Sequence, residues 1–138
     1  MKLKIKLDPG AYMPTRAHRT DAGLDLYATE RRLLWPGAVV EMETGTHIEI
    51  PAGYVGDVDA KSSMLARGVL TAGTVDSGYT GAIKVILFNV GGGMVQIEKG
   101  QKIAQLVIKS IITPELEEVD ELEDTERGEG GFGSTGKF

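Results

Sequence analysis

The strongest constraint on this chain is an alternation of apolar and polar residues with a period of two, repeated in short runs along most of its length. Period two sends successive side chains to opposite faces of an extended backbone, so such runs build half-buried strands rather than helices. Lys2–Leu7 alternates Lys with Leu and Ile. Leu24–Ala28 puts Leu24, Leu26 and Ala28 on one face and Asp25 and Tyr27 on the other. Val39–Met42 and Thr46–Ile50 flank a turn at Gly45, and Tyr54–Asp59 follows a turn at Pro51-Ala52-Gly53. Ala82–Val90 is apolar on both faces, as suits a central sandwich strand. Lys102–Ile108 and Leu116–Val119 complete the set, with further turn signals at Pro36-Gly37, Gly91-Gly92-Gly93 and Lys99-Gly100. Many short strands between regular turns predict an all-β sandwich or barrel.

One helix is expected, Ser62–Arg67, with Ser62 or Ser63 as its cap, Met64 and Leu65 facing inward, and Gly68 ending it in the left-handed conformation. The length of 138 residues suits one domain with a real core. The spacing predicts a β-rich body over 1–119 and, over 120–138, an acidic linker followed by a Gly-rich arm. The chain has no Cys, which excludes disulfides and fits a cytoplasmic, reducing setting, that of the host cell if the source is viral. No signal peptide or membrane-spanning run is expected. The net charge of −5 argues against a nucleic-acid coat. His18 and His47 stand alone, without Cys or a second His at ligand spacing, so a His-based metal site is not expected and both are read as surface residues.

Candidate chemistry is concentrated at five places. Asp25 lies on the polar face of its strand, where a carboxylate can meet Mg²⁺ directly or through water. Lys61-Ser62-Ser63 sits at a strand-to-helix junction and offers an ammonium and two hydroxyls to a phosphate. Gly73 to Gly81 reads G-T-V-D-S-G-Y-T-G, a tight hairpin with Asp76 and Tyr79 near its tip. Such a hairpin can read a base edge with its own backbone, set Tyr79 under a sugar ring and present Asp76 to a water. Gln105 is a lone amide among Ile103, Leu106 and Val107, either an outward polar residue or a phosphate donor. The terminus, from Arg127 to Phe138, combines glycines, one Arg, a Ser-Thr pair and Phe132. Glycines let backbone N–H groups close on phosphate oxygens, and Phe132 offers a flat face to a base. Gly131 to Lys137 matches most of a P-loop, but Phe138 stands where Ser or Thr is needed, and no strand precedes it or helix follows it. An ATPase or GTPase reading is rejected.

The order and spacing of these pieces resemble the five motifs of the trimeric dUTP pyrophosphatase (dUTPase) family. Ala22-Gly23-Leu24-Asp25-Leu26-Tyr27-Ala28 resembles the first, Lys61-Ser62-Ser63-Met64 the second, and Gly73 to Val85 the third. Gly100 to Val107 resembles the fourth, and Arg127 to Gly136 the fifth. The resemblance implies a dUTPase-like β-sandwich or jelly-roll-type barrel with one short helix and a flexible Gly-rich arm. It implies hydrolysis of dUTP to dUMP and pyrophosphate with Mg²⁺, limiting uracil in DNA and supplying dUMP for thymidylate synthesis. A homotrimer with sites at subunit contacts is implied too. Asp25 would hold the metal through water, and Asp76 would be the general base. Tyr79 would pack against deoxyribose and exclude a 2′-hydroxyl. Backbone groups around Gly73, Thr74, Val75, Ile83 and Lys84 would meet the uracil. Lys61, Ser62, Ser63 and Gln105 would hold phosphate oxygens. Phe132 and Gly133 would cover the uracil, with Arg127, Ser134 and Thr135 on the phosphates.

One departure stands out. The second motif usually begins with Arg, and Lys61 keeps the charge without the bidentate fork. Two alternatives are weighed. A dCTP deaminase of similar fold needs an acid on the strand after the hairpin, where this chain has Ile86. A dUTP-binding regulatory protein of the same fold would not need Asp25, Asp76, Tyr79, Gln105 and Arg127 together.

Overall fold

The computed structural model describes all residues, 1–138. Its elements run β1 (Lys4–Leu7), β2 (Gly23–Tyr27), β3 (Arg32–Leu34), β4 (Val39–Glu43), β5 (Thr46–Glu49), β6 (Tyr54–Asp59), α1 (Ser62–Leu65), β7 (Val69–Leu70), β8 (Ala72–Val75), β9 (Lys84–Asn89), β10 (Val95–Ile97) and β11 (Lys102–Ser110). Every pairing is antiparallel. A four-stranded sheet has the order β2-β11-β6-β8, a three-stranded sheet has β4-β9-β7, and β1-β5 and β3-β10 form two small ribbons. The sheets do not close into a barrel. The apolar faces of all four meet in one cluster of 20 buried residues, so the chain has a single core.

The alternation expected in β4 and β9 is present, but β9 is buried on one face only. Val85, Leu87 and Asn89 point into the core, while Ile86 and Phe88 are exposed. Val39 and Leu70 lie directly across from Phe88 on the two neighbouring strands. The second apolar face therefore exists, and no other element of the chain covers it. The sequence Gly73–Gly81 also folds differently from a hairpin. β8 pairs with β6 and β9 pairs with β4 and β7, so residues 76–83 carry the chain from one sheet to the other. Period two cannot reveal this, because it reports the faces of a strand and not its partners.

Three smaller expectations also change. Leu65 is exposed, since a single helical turn can bury only one side and Met64 occupies it. The first helical turn follows Lys61 without a side-chain cap. Leu116–Val119 forms no strand; Leu116 is exposed and no strand or helix follows Ser110. Gly68 does adopt the left-handed conformation, φ +78°, and the site has no room for a Cβ, which would lie 2.9 Å from the Gly91 Cα.

Asn89 shows how a buried polar group is made compatible with this core. Its Nδ2 donates to the carbonyls of Leu34 and Gly93, both at 2.9 Å, and its Oδ1 accepts from the Gly91 N–H at 3.1 Å. The side chain thus ties β9 to β3 and to the Gly91-Gly92-Gly93 turn. Asn89→Leu would strip three backbone groups of their partner at a fully buried position. It should destabilise the protein by roughly 2–4 kcal/mol, read as a lower urea midpoint with an unchanged slope.

Candidate active site

The polar site starts from an irregularity in β11. Lys102 pairs with Tyr27, but Ala104 pairs with Leu26, so one extra residue is inserted at Ile103. In a regular strand Lys102 and Gln105, three apart, would point to opposite faces. The bulge shifts the phase and brings both to the face that carries Asp25. It also lets the consecutive Ile103 and Ala104 both be buried. Beyond the bulge Gln105 lies opposite Asp25 on one side and Asp59 on the other, and Asp59 lies opposite Ala72.

Asp25 is not a solvated strand residue. It is 6% exposed, and its two oxygens are held by separate ammonium groups. Lys61 bonds Oδ1, and Lys102 sits 2.9 Å from Oδ2. Burial pushes the Asp25 carboxyl up, but the hydrogen bonds and charges of Lys61 and Lys102 outweigh it and leave the pKa below the ordinary 3.8. Asp25 in turn raises the pKa of Lys102. Two cations on one anion leave a local excess of positive charge in an acidic chain. Gln105 lies alongside, its Nε2 donating to the Ala60 carbonyl at 3.1 Å. Gly23 makes this possible: a Cβ there would stand 2.2 Å from Gln105 Oε1. Ser62 and Ser63 follow Lys61 on α1 and are exposed.

A metal cage is absent, since no three His, Cys, Asp or Glu side chains converge. Lysine ammonium groups already face both Asp25 oxygens, which favours contact with a cation through water over direct ligation. The donor set fits a Mg²⁺ carried mainly by phosphate oxygens and water, touching Asp25 through water.

The second cluster is a cleft of about 360 Å³ at the far edge of the same sheet. β8 contributes Gly73, Thr74 and Val75, the crossing loop contributes Asp76 and Tyr79, and β9 contributes Lys84, with Ile83 just before it. The Tyr79 hydroxyl donates to the Ala82 carbonyl at 2.8 Å, which folds the ring over Gly81. A Cβ on Gly81 would lie 2.5 Å from that hydroxyl. Asp76 is exposed. Lys84 turns its ammonium away to Glu41 at 3.0 Å and Glu43 at 3.4 Å, and Glu41 first, then Glu43, raises its pKa. The Ile83 N–H donates to the Thr46 carbonyl, and its carbonyl accepts from Thr44 Oγ1 and keeps one lone pair.

The terminal segment joins neither cluster. Arg127 Nε donates to the Gly130 carbonyl at 2.6 Å, and the N–H groups of Ser134 and Gly136 close successive turns on Gly131 and Gly133. Phe132 is fully exposed, with a positive φ of 50°. Arg127, Gly133, Ser134 and Thr135 make no hydrogen bond to residues 1–110.

A family model described as dUTPase matches residues 10–136. The chain belongs to the dUTPase family. A deoxyuridine 5′-triphosphate nucleotidohydrolase of Clostridium tetani is 46% identical over 98% of this chain and 97% of its own length. That of Gloeothece citriformis is 45% identical over 99% and 97%. Among solved structures, a mutant dUTPase of Staphylococcus bacteriophage 80alpha with dUpNHpp superposes with a TM-score of 0.93 at 34% identity, covering 99% of both chains. A mutant dUTPase from phage phi11 of S. aureus, described as coordinating a structural Mg(II) ion, has a TM-score of 0.83 at 31% identity over 90% of this chain and 100% of its own.

Within this dUTPase-family chain, four residues escaped the sequence reading. Lys102 was invisible because the bulge that turns it toward Asp25 depends on pairing with β2. Gly23 and Gly81 were readable only as turn glycines, whereas both make room for a neighbouring side chain. His47, read as a surface residue, is half-buried and bridges Asp8 and Thr80.

The ion cluster carries a definite pH signature. A carboxyl whose pKa is lowered on folding contributes stability above its ordinary 3.8 and loses it as pH falls through the lower native value. Asp25→Asn should therefore lose roughly 1–3 kcal/mol near neutral pH, less than for a fully buried pair because both lysines reach water. The difference from the parent should disappear on acidification below that native value, as followed by urea unfolding at several pH values.

Proposed function

We propose that the Tyr79 cleft and the Asp25–Lys61–Lys102 cluster are the nucleoside and phosphate halves of a site that hydrolyses dUTP to dUMP and pyrophosphate. Family membership supports the reaction itself. The observation that carries the assignment of residues is the convergence of the β8 backbone, Asp76 and Tyr79 on one cleft. β9 brings no carboxylate there; its residues at the cleft are Lys84 and Ile86, which gives no support to deamination.

In this reading the backbone of Gly73, Thr74 and Val75, with Lys84 and the free lone pair on Ile83, meets the uracil edge. Tyr79 packs under deoxyribose, where a 2′-hydroxyl would clash. Asp76 orients a water and takes its proton as the water attacks phosphorus and the α–β phosphoanhydride bond breaks, separating dUMP from pyrophosphate. Lys61, Ser62, Ser63 and Gln105 hold the phosphates, and Lys102 adds a second ammonium. When bound, Mg²⁺ neutralises phosphate charge, and Asp25 contacts it through water. Stabilising charge on the transferring phosphoryl group is the main demand of such chemistry.

A division into a body of 1–119 and an arm of 120–138 that closes over the site suits this chemistry. Phe132 would stack on the uracil beside Gly133, with Arg127, Ser134 and Thr135 on the phosphates. A homotrimer with shared sites is supported by two features. Asp25 on β2 and the cleft backbone on β8 lie at opposite edges of the four-stranded sheet, about 14 Å apart at three strand spacings. The uncovered row of Leu70, Phe88 and Val39 offers an apolar contact face. A cytoplasmic setting agrees with the absence of Cys, and no helix is long and apolar enough to cross a membrane.

Pyrophosphate release from dUTP, with dTTP, dCTP and UTP as controls, tests the reading; equal turnover of UTP would remove Tyr79 as the sugar filter. Asp76→Asn keeps the shape of the side chain but cannot accept the proton. It should lower kcat by ~10²–10⁴-fold with nucleotide affinity retained, measured by stopped-time assays alongside binding of a non-hydrolysable analogue.

Truncation after Glu126 should leave a folded body, because nothing beyond Ser110 belongs to a strand or helix. It should nevertheless remove most activity, since Arg127 and Phe132 go with it. Phe132→Ala alone should cost ~1–3 kcal/mol of binding. Full activity in the truncated protein would refute the closing arm.

A further inference from the structure

The loop that carries Asp76 and Tyr79 belongs to no sheet, so its shape depends on how it is tied down. Two ties secure its end. The Ile83 N–H donates to the Thr46 carbonyl at 2.8 Å, and Thr44 Oγ1 donates to the Ile83 carbonyl at 2.6 Å. Only His47 reaches the middle, where its Nδ1 lies 2.8 Å from the Thr80 carbonyl, next to Tyr79. Its Nε2 lies 3.0 Å from Asp8 Oδ1. Both partners are acceptors only, so both contacts are hydrogen bonds only when the ring carries a proton on each nitrogen. A neutral ring donates to one and turns a lone pair on the other.

We propose that His47 is a positioning residue for the reaction: the imidazolium bridging Asp8 and Thr80 fixes the middle of the 76–83 loop, and with it Tyr79 and Asp76, in the geometry that receives the deoxynucleoside. The proposal rests on the dUTP-hydrolysis reading. The surrounding charges agree with a cationic ring. Lys4 and Lys6 of β1 and Glu49 of β5 line the same groove, to which the loop contributes only the uncharged Thr80. Lys4 is paired with Glu49 at 2.9 Å, and Lys6, directly across from His47, opposes the ring's charge. The Thr80 carbonyl first and Asp8 second prevail, raising the His47 pKa above its ordinary 6.5. A group raised in this way contributes fully below 6.5, and its contribution fades as pH rises through the native value. The brace is therefore strongest at acid pH and weakens as pH rises through the native pKa of the ring, which lies above 6.5.

The test compares kcat and KM for dUTP in the parent, His47→Gln and Asp8→Asn between about pH 5.5 and 9.5, with the His47 ring titrated by NMR. Titration of the triphosphate itself affects all three proteins and cancels in ratios. Below the native pKa, His47→Gln should show a KM about 3–10-fold above the parent, the value of one hydrogen bond, with kcat much less affected. The KM ratio should fall as pH rises through the NMR-measured pKa, where the ring gives up one of its two hydrogen bonds. Asp8→Asn should move the ring titration and the step in KM together to lower pH. A ratio of one at all pH values would overturn the proposal. So would a KM step that stays in place when Asp8→Asn moves the ring titration. If the parent releases no pyrophosphate from dUTP, the substrate reading is what fails. The brace is then read from amide hydrogen exchange of residues 77–82, faster in His47→Gln than in the parent below the native pKa; equal rates would overturn it.

Discussion

The bulge at Ile103 is the constraint on which the polar site depends. A four-stranded sheet with one face in the core leaves only the other face for chemistry, and strict alternation would divide Lys102 from Gln105. One inserted residue reverses the phase of β11 at its midpoint. Ile103 and Ala104 then both reach the core, and Lys102 reaches Asp25 with Gln105 on the same face. Apolar burial stabilises the irregularity that the polar side requires. A substitution that favoured regular pairing here would rotate an ammonium or an amide out of the site while leaving most of the core intact.

Electrostatics explains how a chain of net charge −5 can receive a polyanion. The whole-molecule field disfavours a triphosphate, and a binding site must overcome it locally. Asp25 gathers Lys61 and Lys102 at one place, and its burial is tolerated because two ammonium groups face it. Lys61 suits this geometry, since a compact ammonium can share one carboxylate with a second cation. Elsewhere Lys84 and Lys109 are paired with Glu41, Glu43 and Asp57.

Most of the architecture was legible in the sequence because burial on one face of a strand leaves a direct imprint of period two. β2, β4, β5, β6 and β11 lie within a residue or two of where the alternation puts them. The unread strands, β3, β7 and β10, are two or three residues long, too short for a period to register. The errors share a physical origin in partner choice. Gly73–Gly81 has the composition of a hairpin tip, yet β8 and β9 belong to different sheets. Ile86 and Phe88 signal burial that a single protomer does not provide. His47 occupies an outward position on β5, and its enclosure comes from Asp8 and Thr80, which lie far from it in sequence.

The sequence by itself determined the all-β class, the strand faces and the residue types available for phosphate and nucleoside chemistry, because these follow from local periodicity and from motif order along the chain. Tertiary structure decided which of those residues meet. Lys102 reaches Asp25 only through a bulge fixed by pairing with β2, Gln105 rests against the strand bearing it only because Gly23 leaves room, and the Asp76 loop is shaped by a histidine more than thirty residues earlier in the chain. Such contacts depend on register and on the sheet to which each strand belongs, and neither leaves a mark on local alternation.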